Sequence, residues 1–268
     1  MIRRDQGERR HVRPIMAWLG LLLMTSSFVW LQVTAVPRSA RGDPDEPTQP
    51  APFFALVVID PGHGGQDSGT TKTGLVEKEL TLDLAQRLER LLQERGLATL
   101  LTRGDDTYVS LQDRAAIANA QQECVFVSLH FDDAGRPAAT GIETFYAANP
   151  ISFPERVASW LPFLQQTSSE PPNVESQSLA NFIQESLVAY TQAVNRGTRP
   201  EQFFVIANVR HPAVLVEGGF LTNKDDVAKL ANYEYREQMA VGISEGIARY
   251  RETLQQERTP LAVDLSGE

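Results

Sequence analysis

The sequence has a single cysteine among its 268 residues, so it cannot form an intramolecular disulfide. Cys124 lies in the apolar run Cys124-Val125-Phe126-Val127, where a thiol behaves as a small buried hydrophobic group and not as a nucleophile. Basic residues are also scarce, with 25 Lys and Arg against 34 Asp and Glu, which gives a formal net charge of −9. We therefore expect no nucleic-acid partner, because phosphate binding requires clustered basic side chains.

The N-terminal region has the composition of an export signal. Several arginines precede Ile15, and a nearly uncharged stretch follows from Ile15 to Val36. Because this stretch approaches the ~20 residues that span a bilayer, two outcomes stay open: cleavage near Ala35, or retention of residues 15–36 as an anchor. In both, residues 1–36 form an export signal or signal anchor. We expect the protein in the periplasm or cell envelope, with membrane contact only through this segment.

Two further segments lack the apolar residues of a folded core. Residues 37–53 are rich in proline and charged residues, which indicates a linker. Residues 252–268 are interpreted as a polar tail. One domain, residues 54–251, is expected between them.

Strand and helix patterns alternate through this domain. Leucines at helical spacing follow residue 77, and Ser110 with Asp113 predicts the start of a second helix. Short apolar runs predict strands at residues 54–59, 98–102, 124–129, 141–147, 203–206 and 213–216. The alternation predicts an α/β fold: a single domain with a central, mostly parallel, twisted sheet of about six strands, flanked by helices on both faces.

Three of the predicted strands lead into residues that can carry chemistry: His63, His130 and Glu217. Ligands of open α/β sheets bind beyond the carboxyl ends of strands, so these side chains are expected at one edge of the sheet. Two histidines and a third ligand from a neighbouring loop would suit hydrolytic zinc, which takes three protein ligands and a water. The residues alone leave two interpretations open, a metal site and unrelated structural side chains. His211 has a structural explanation.

The order of the motifs resembles the zinc-dependent N-acetylmuramoyl-L-alanine amidases over residues 56–250. Matching segments occur at residues 58–69, 77–80, 102–103, 114–119, 128–130, 141–144 and 212–223. The resemblance implies hydrolysis of the amide bond between N-acetylmuramic acid and L-alanine of the peptidoglycan stem peptide, with one zinc ion per catalytic domain.

Carried over position by position, the resemblance implies that His63, Glu77 and His130 hold the zinc. Glu217 falls on the catalytic glutamate, which acts as general base and acid toward a water activated by zinc. Glu79 competes with Glu77 for the ligand role, although the order Glu-Lys favours Glu77. Two alternatives stay open: a non-catalytic peptidoglycan-binding protein of the same fold, and a zinc peptidase that acts on wall peptides.

Three features leave questions for the structure. Phe131 and Gly218 depart from the family pattern, since a small residue usually follows the second histidine and a bulkier one follows the catalytic glutamate. Glu143 is the alternative carboxylate for proton transfer. Residues 148–175 form a long insert that could act as a lid over the metal, moved by an activator protein, as a substrate loop, or as neither.

Overall fold

The computed structural model describes residues 54–72, 74–132, 138–147 and 173–258. Their main element is a six-stranded sheet in the order β4-β1-β5-β8-β6-β7. All neighbouring pairs in it are parallel except β6 and β8. The predicted α/β class and mostly parallel sheet of about six strands are thus confirmed. The strands are β1 (Leu56–Pro61), β2 (Thr71–Lys72), β3 (Leu75–Val76), β4 (Ala98–Leu101), β5 (Cys124–Asp132), β6 (Ile142–Tyr146), β7 (Asn195–Pro200) and β8 (Ala213–Phe220).

Helices cover both faces of the sheet, because strands that are buried on both sides need apolar partners on each. The helices are α1 (Glu77–Glu94), α2 (Leu111–Asn119), α3 (Val174–Thr191), α4 (Phe204–Ala207), α5 (Lys224–Ala231) and α6 (Tyr233–Arg258). Side chains of α1, α3 and α6 pack on one face with Val125 and Val127 of β5. Those of α2 and α4 pack on the other face with Cys124 and Phe126.

Local sequence explains where α1 and α2 begin and end. α1 buries Leu80, Leu84, Leu88 and Leu92, four residues apart on one face, and the chain leaves it through Gly96 at a φ of 76°. The hydroxyl of Ser110 accepts a hydrogen bond from the Asp113 amide and caps α2 as predicted.

The structure corrects one predicted strand. Residues 203–206 were expected to be extended, but Phe204–Ala207 forms the single-turn helix α4. Short apolar runs do not distinguish a strand from a buried helical turn. The sixth strand is β7, Asn195–Pro200, a polar edge strand with a glycine and a terminal proline, which apolar patterning does not detect.

The prediction that the polar tail starts at residue 252 is also wrong. Helix α6 continues to Arg258. Leu254 still packs against the core, and the Thr253 hydroxyl donates to the Arg249 carbonyl. Glutamate, glutamine and arginine are good helix formers, so a polar composition does not end a helix.

Several predictions fall outside the described residues. These are the export segment 1–36, the linker 37–53, residues 148–172 of the 148–175 insert, and residues 259–268. Within the part of the chain that is described, no helix is long and apolar enough to cross a membrane.

Candidate metal centre and active site

The loop after β1 presents His63 in a strained backbone conformation. His63 has a φ of 59°, in the left-handed region that a non-glycine residue seldom adopts. Its backbone is held by buried guanidinium groups: Arg103 donates to the carbonyls of Pro61 and Gly62, and Arg114 to those of Pro61 and His63. This loop is therefore fixed before any ligand binds, since strain persists only where the surroundings impose it.

Asp60 is the anchor for this arrangement. The carboxylate is fully buried and accepts hydrogen bonds from Thr102 at 2.6 Å, Ser128 at 2.7 Å and Arg114 at 2.7 Å. A buried charge is tolerated when it is paired and hydrogen-bonded in this way. Burial and the nearby charge of Arg114 lower the pKa of Arg103. Sequence reasoning did not assign Asp60 a role, although an aspartate within the apolar run of β1 was a signal.

Three side chains from separate elements meet at the carboxyl edge of the sheet. Candidate ligand atoms of His63, Glu77 and His130 all lie within 4.8 Å of one another. Glu77 Oε1 lies 2.9 Å from His63 Nε2 and 3.2 Å from His130 Nδ1. The histidines lie on the β1 loop and on β5, and Glu77 is the first residue of α1. The structure thus brings together the three residues that the sequence singled out.

Backbone amides fix the Glu77 carboxylate between the histidines. Oε1 accepts from the Phe131 amide at 3.1 Å, and Oε2 from the Thr70 amide at 2.8 Å. Burial alone would raise the pKa of Glu77, but its hydrogen bonds to His130 and His63 and their charges outweigh burial and hold that pKa well below its usual range. The group is therefore a carboxylate at neutral pH.

Asp67 orients the His63 ring from the far side. Its Oδ2 lies 2.9 Å from His63 Nδ1, and its Oδ1 accepts from the Gly69 amide. Burial alone would lower the pKa of His63. The hydrogen bonds and negative charges of Glu77 and Asp67 outweigh burial, so the pKa of His63 is raised overall. Carboxylate contacts of this kind fix the ring and leave the other nitrogen for a metal. The sequence analysis did not assign this role to Asp67.

Glycines leave room for the metal-site side chains. A Cβ atom on Gly62 would lie 2.6 Å from His130 Nδ1, and one on Gly69 would lie 2.7 Å from His63 Cδ2. Both distances are far below van der Waals contact, so neither position accepts a larger residue without moving a histidine.

Glu217 lies beside this cluster on β8. It is the in-register neighbour of His130 on the adjacent parallel strand, so the two side chains project from the same face of the sheet. Glu143 is its opposite partner on antiparallel β6. Glu143 is buried and ion-paired with Arg196 at 3.1 Å and with Arg199. The structure therefore engages the Glu143 carboxylate with arginines, which disfavours it as the proton carrier.

The alternatives to these residues lie elsewhere. Glu79 is exposed on α1, outside the cluster that contains Glu77. His211 precedes β8 and is not part of that cluster. Cys124 is buried, and burial raises the pKa of its thiol to about 11, so it stays protonated and inert.

Known proteins share this fold. The sequence profile of the N-acetylmuramoyl-L-alanine amidases matches residues 57–249. This chain belongs to the N-acetylmuramoyl-L-alanine amidase family. The prediction of an amidase is confirmed, and the alternative of a binding protein without activity loses its support.

Individual family members agree in sequence and in structure. The amidase LytC of Bacillus subtilis is 35% identical over 194 residues, which are 72% of this chain and 35% of LytC. An amidase structure from Clostridium difficile 630 has a TM-score of 0.64 at 33% identity and covers 75% of this chain and 98% of its own. The CwlD amidase from Clostridioides difficile was solved in complex with the GerS lipoprotein. Its structure has a TM-score of 0.63 at 25% identity and covers 74% of this chain and 99% of its own.

Proposed function

We propose that this amidase hydrolyses the bond between N-acetylmuramic acid and L-alanine with one zinc ion held by His63, Glu77 and His130. The observation that carries the proposal is the convergence of these three side chains within 4.8 Å. Ligands on a tetrahedral zinc with bonds of about 2.0–2.1 Å are roughly 3.3 Å apart. The 2.9 and 3.2 Å separations from Glu77 Oε1 are close to that spacing, so the residues fit the ion.

The donor set and its exposure also suit hydrolysis. Two imidazoles and one carboxylate are a known hydrolytic zinc set, which leaves one position for water or substrate. The side chains of His63 and His130 are 21% and 18% exposed, so the cluster is open to solvent on one side. A zinc ion bound there would lower the pKa of the attacking water and polarise the amide carbonyl.

Glu217 is the proposed general base and acid. Its place next to His130 in the β5–β8 register puts a carboxylate beside the ligand cluster without making it a ligand. In this role Glu217 takes a proton from the attacking water and hands it to the departing amine of L-alanine, because an amide nitrogen leaves poorly unless it is protonated.

The test of this function is a digestion of purified peptidoglycan by the full chain and by its Glu217→Gln variant. The wild-type protein should release stem peptides with a free L-alanine amine. The variant should keep its zinc and lose about 10²–10⁴-fold in turnover, the usual contribution of a general base. Near-normal activity in the variant would contradict the role of Glu217, and loss of its zinc would make Glu217 a ligand. Equal cleavage of ordinary peptides would favour the zinc peptidase.

We also propose that the amidase works outside the cytoplasmic membrane. Its substrate class lies there, and the arginines before Ile15 with the uncharged stretch after them support export. Cell fractionation should find the catalytic domain in the envelope or periplasm, either starting near Val36 or as a full-length membrane-bound form. A soluble cytoplasmic protein with an intact N-terminus would refute export.

An activator protein is the proposed regulatory partner. The support is that the related CwlD was solved with a lipoprotein, GerS. The contact we propose is the insert 148–175. If the insert restricts access to the metal, replacing residues 151–172 with a short Gly-Ser linker should raise activity on peptidoglycan. Unchanged activity would contradict the restriction, and lower activity with zinc retained would make the insert a substrate loop.

A further inference from the structure

A cluster of charged residues lies beyond Glu217 on the side away from the metal ligands. It consists of Glu143, Arg196 and Arg199, called here the arginine cluster. β6 lies next to β8, and β7 lies next to β6 at the edge of the sheet. The carboxyl edge therefore presents, from strand to strand, His130, then Glu217, then Glu143, then the two arginines.

The arginine cluster has positive charge to spare. Two guanidinium groups share the Glu143 carboxylate, so these three residues sum to +1 next to the carboxylate of Glu217. Arg196 contacts Glu143 through Nε, and so does Arg199. The side chains are 28% and 56% exposed, so both arginines are partly accessible to solvent beside the site.

Packing fixes the position of Arg196. Its guanidinium lies over the Phe220 ring, 4.9 Å from the centroid. A guanidinium that is stacked and ion-paired loses little further freedom on binding, and its planar donors match a carboxylate. Glu143 thus sets the arginines in place and does not use up their donors.

A loop with exposed polar and aromatic residues borders the opposite side of the metal centre. The loop after β4 carries Asp105 and Asp106, both exposed, and the exposed ring of Tyr108. Gly65 packs against Tyr108 and its amide donates to Asp106, so this loop borders the His63 loop. The site therefore has an aromatic end, where Asp106 is paired with Lys78 at 2.7 Å, and an end that carries the two arginines.

The substrate has a matching asymmetry. N-acetylmuramic acid in the glycan is linked to the stem peptide through its lactyl group, so the sugar side of the cut bond is neutral. The residue after L-alanine is a γ-linked D-glutamate with a free α-carboxylate, or the α-amide of that residue. β7 lies two strand spacings of about 4.8 Å from β8, a distance that roughly three extended peptide residues would span. The arginine side chains are long and reach back from β7, so a shorter stretch of peptide can connect Glu217 to their guanidinium groups.

We infer that the arginine cluster is a carboxylate subsite that binds the α-carboxylate of the second stem-peptide residue. The peptide then runs from the metal centre across β8 and β6 toward β7, and the sugar lies toward Tyr108. This inference rests on the proposed function, and it makes Arg196 and Arg199 determinants of specificity for acidic over amidated stem peptides.

Calorimetric binding of two synthetic tripeptides tests the subsite. They are L-Ala-γ-D-Glu-L-Lys and the same peptide with the α-carboxylate amidated, each added to the zinc-loaded full chain and to the chelator-treated chain. The wild-type protein should bind the acidic peptide about tenfold more tightly in both states, as expected for a charge-assisted hydrogen bond, and less so at high salt. Arg199→Gln should bind the two peptides almost equally.

Matched variants separate this subsite from general charge effects. Arg95→Gln removes an arginine of similar exposure that pairs with Glu245 at the far end of α1, and it should keep the wild-type preference. Glu143→Gln removes a negative charge that would repel the peptide carboxylate, while its amide oxygen can still accept from the arginines, so the preference should increase. If Arg199→Gln does not fold, Arg199→Lys, which keeps the charge but not the planar fork, should show a reduced preference.

Two results would overturn the inference: equal binding of both peptides by the wild-type protein, or an unchanged preference in a folded Arg199→Gln protein. A parallel digestion of peptidoglycan keeps the two proposals apart. Charge-selective binding without hydrolysis would refute the proposed function but support the carboxylate subsite. Hydrolysis without charge-selective binding would support the proposed function but refute the subsite.

Discussion

The ring of Phe131 fills the space in which a side chain at position 218 would begin. A Cβ atom on Gly218 would lie 2.7 Å from Phe131 Cε1 and 2.4 Å from the methyl group of Met239. The resemblance described in the sequence analysis implies that both positions depart from the family pattern. The two residues are therefore complementary in size: a large residue follows His130, and a glycine follows Glu217.

This relationship predicts a coupling between the two positions. Gly218→Ala should lower the free energy of unfolding by roughly 1–3 kcal/mol, the usual cost of overpacking a core. In a Phe131→Ala background the same change should cost less, because the ring is gone and the flexible Met239 side chain has room to move away. Urea unfolding of the four proteins in this cycle measures the coupling. Gly104→Ala is the control, since a Cβ atom there meets nothing within 4 Å. Additive effects would contradict the coupling.

The metal site predicts a pattern of zinc retention. His63→Ala and His130→Ala should each lose zinc, because two remaining ligands hold the ion poorly. Gly62→Ala should also lose it although no ligand is changed, because its methyl group overlaps the His130 ring. His211→Ala should retain about one zinc per chain. Metal analysis of the purified proteins checks this pattern, and zinc in the two histidine variants would rule out the ligand assignment.

Those parts of the fold were predictable whose buried positions produce a regular pattern of apolar residues in the sequence. The strand that leads to His63 and the strands that carry His130 and Glu217 are apolar runs with both faces covered, and α1 has a regular leucine face. β7 was missed because an edge strand needs few apolar residues, and α4 was mistaken for a strand because four apolar residues fit either structure.

The site was predictable only in part. His63, His130 and Glu217 follow or end strands, so topology predicted their proximity. Glu77 reaches the site from a helix start, and only the resemblance to the family identified it. The contact of Asp67 with His63 depends on a turn with unusual φ values at Gly64 and Gly65, which patterns in sequence do not specify.

We predict that Arg114 positions His63 for zinc binding, in addition to any contribution that it makes to the stability of the fold. It donates 2.6 Å hydrogen bonds to the carbonyls of Pro61 and His63 and pairs with buried Asp60. Arg114→Met should lower zinc affinity by about 10–100-fold, as is usual for residues that orient ligands. A competition titration with a zinc chelator on protein shown to be folded by circular dichroism measures this.

Arg87→Met is the matched control for Arg114. Arg87 is also largely buried and is ion-paired with Asp83 and Glu237, but it joins α1 to α6 away from the metal edge. Its loss should lower the unfolding temperature and leave zinc affinity unchanged. If both variants lost stability and neither lost zinc affinity, Arg114 would have a structural role only.

Asp83 provides a prediction on pH. Its carboxylate accepts from Arg87 at 2.8 Å and from Arg236 at 2.6 Å, and it thereby ties α1 to α6. Burial alone would raise the pKa of Asp83. The hydrogen bonds and charges of the two arginines outweigh burial, so the pKa of Asp83 is lowered overall. A group whose pKa is lower in the folded state stabilises the fold above its unfolded pKa, which is about 3.9 for aspartate. That stabilisation is lost as the pH falls through the folded value.

Asp83→Asn should therefore be less stable than the wild-type protein at neutral pH, by about 1 kcal/mol for a pair that remains partly exposed. The difference should shrink as the pH falls below about 4, where the wild-type carboxylate takes up its proton as well. Urea unfolding at several pH values measures both quantities. Glu94→Gln, which breaks only the exposed contact with Arg90, should show almost no difference at any pH. A constant deficit of Asp83→Asn across the whole range would mean that the ionised carboxylate is not what joins the two helices.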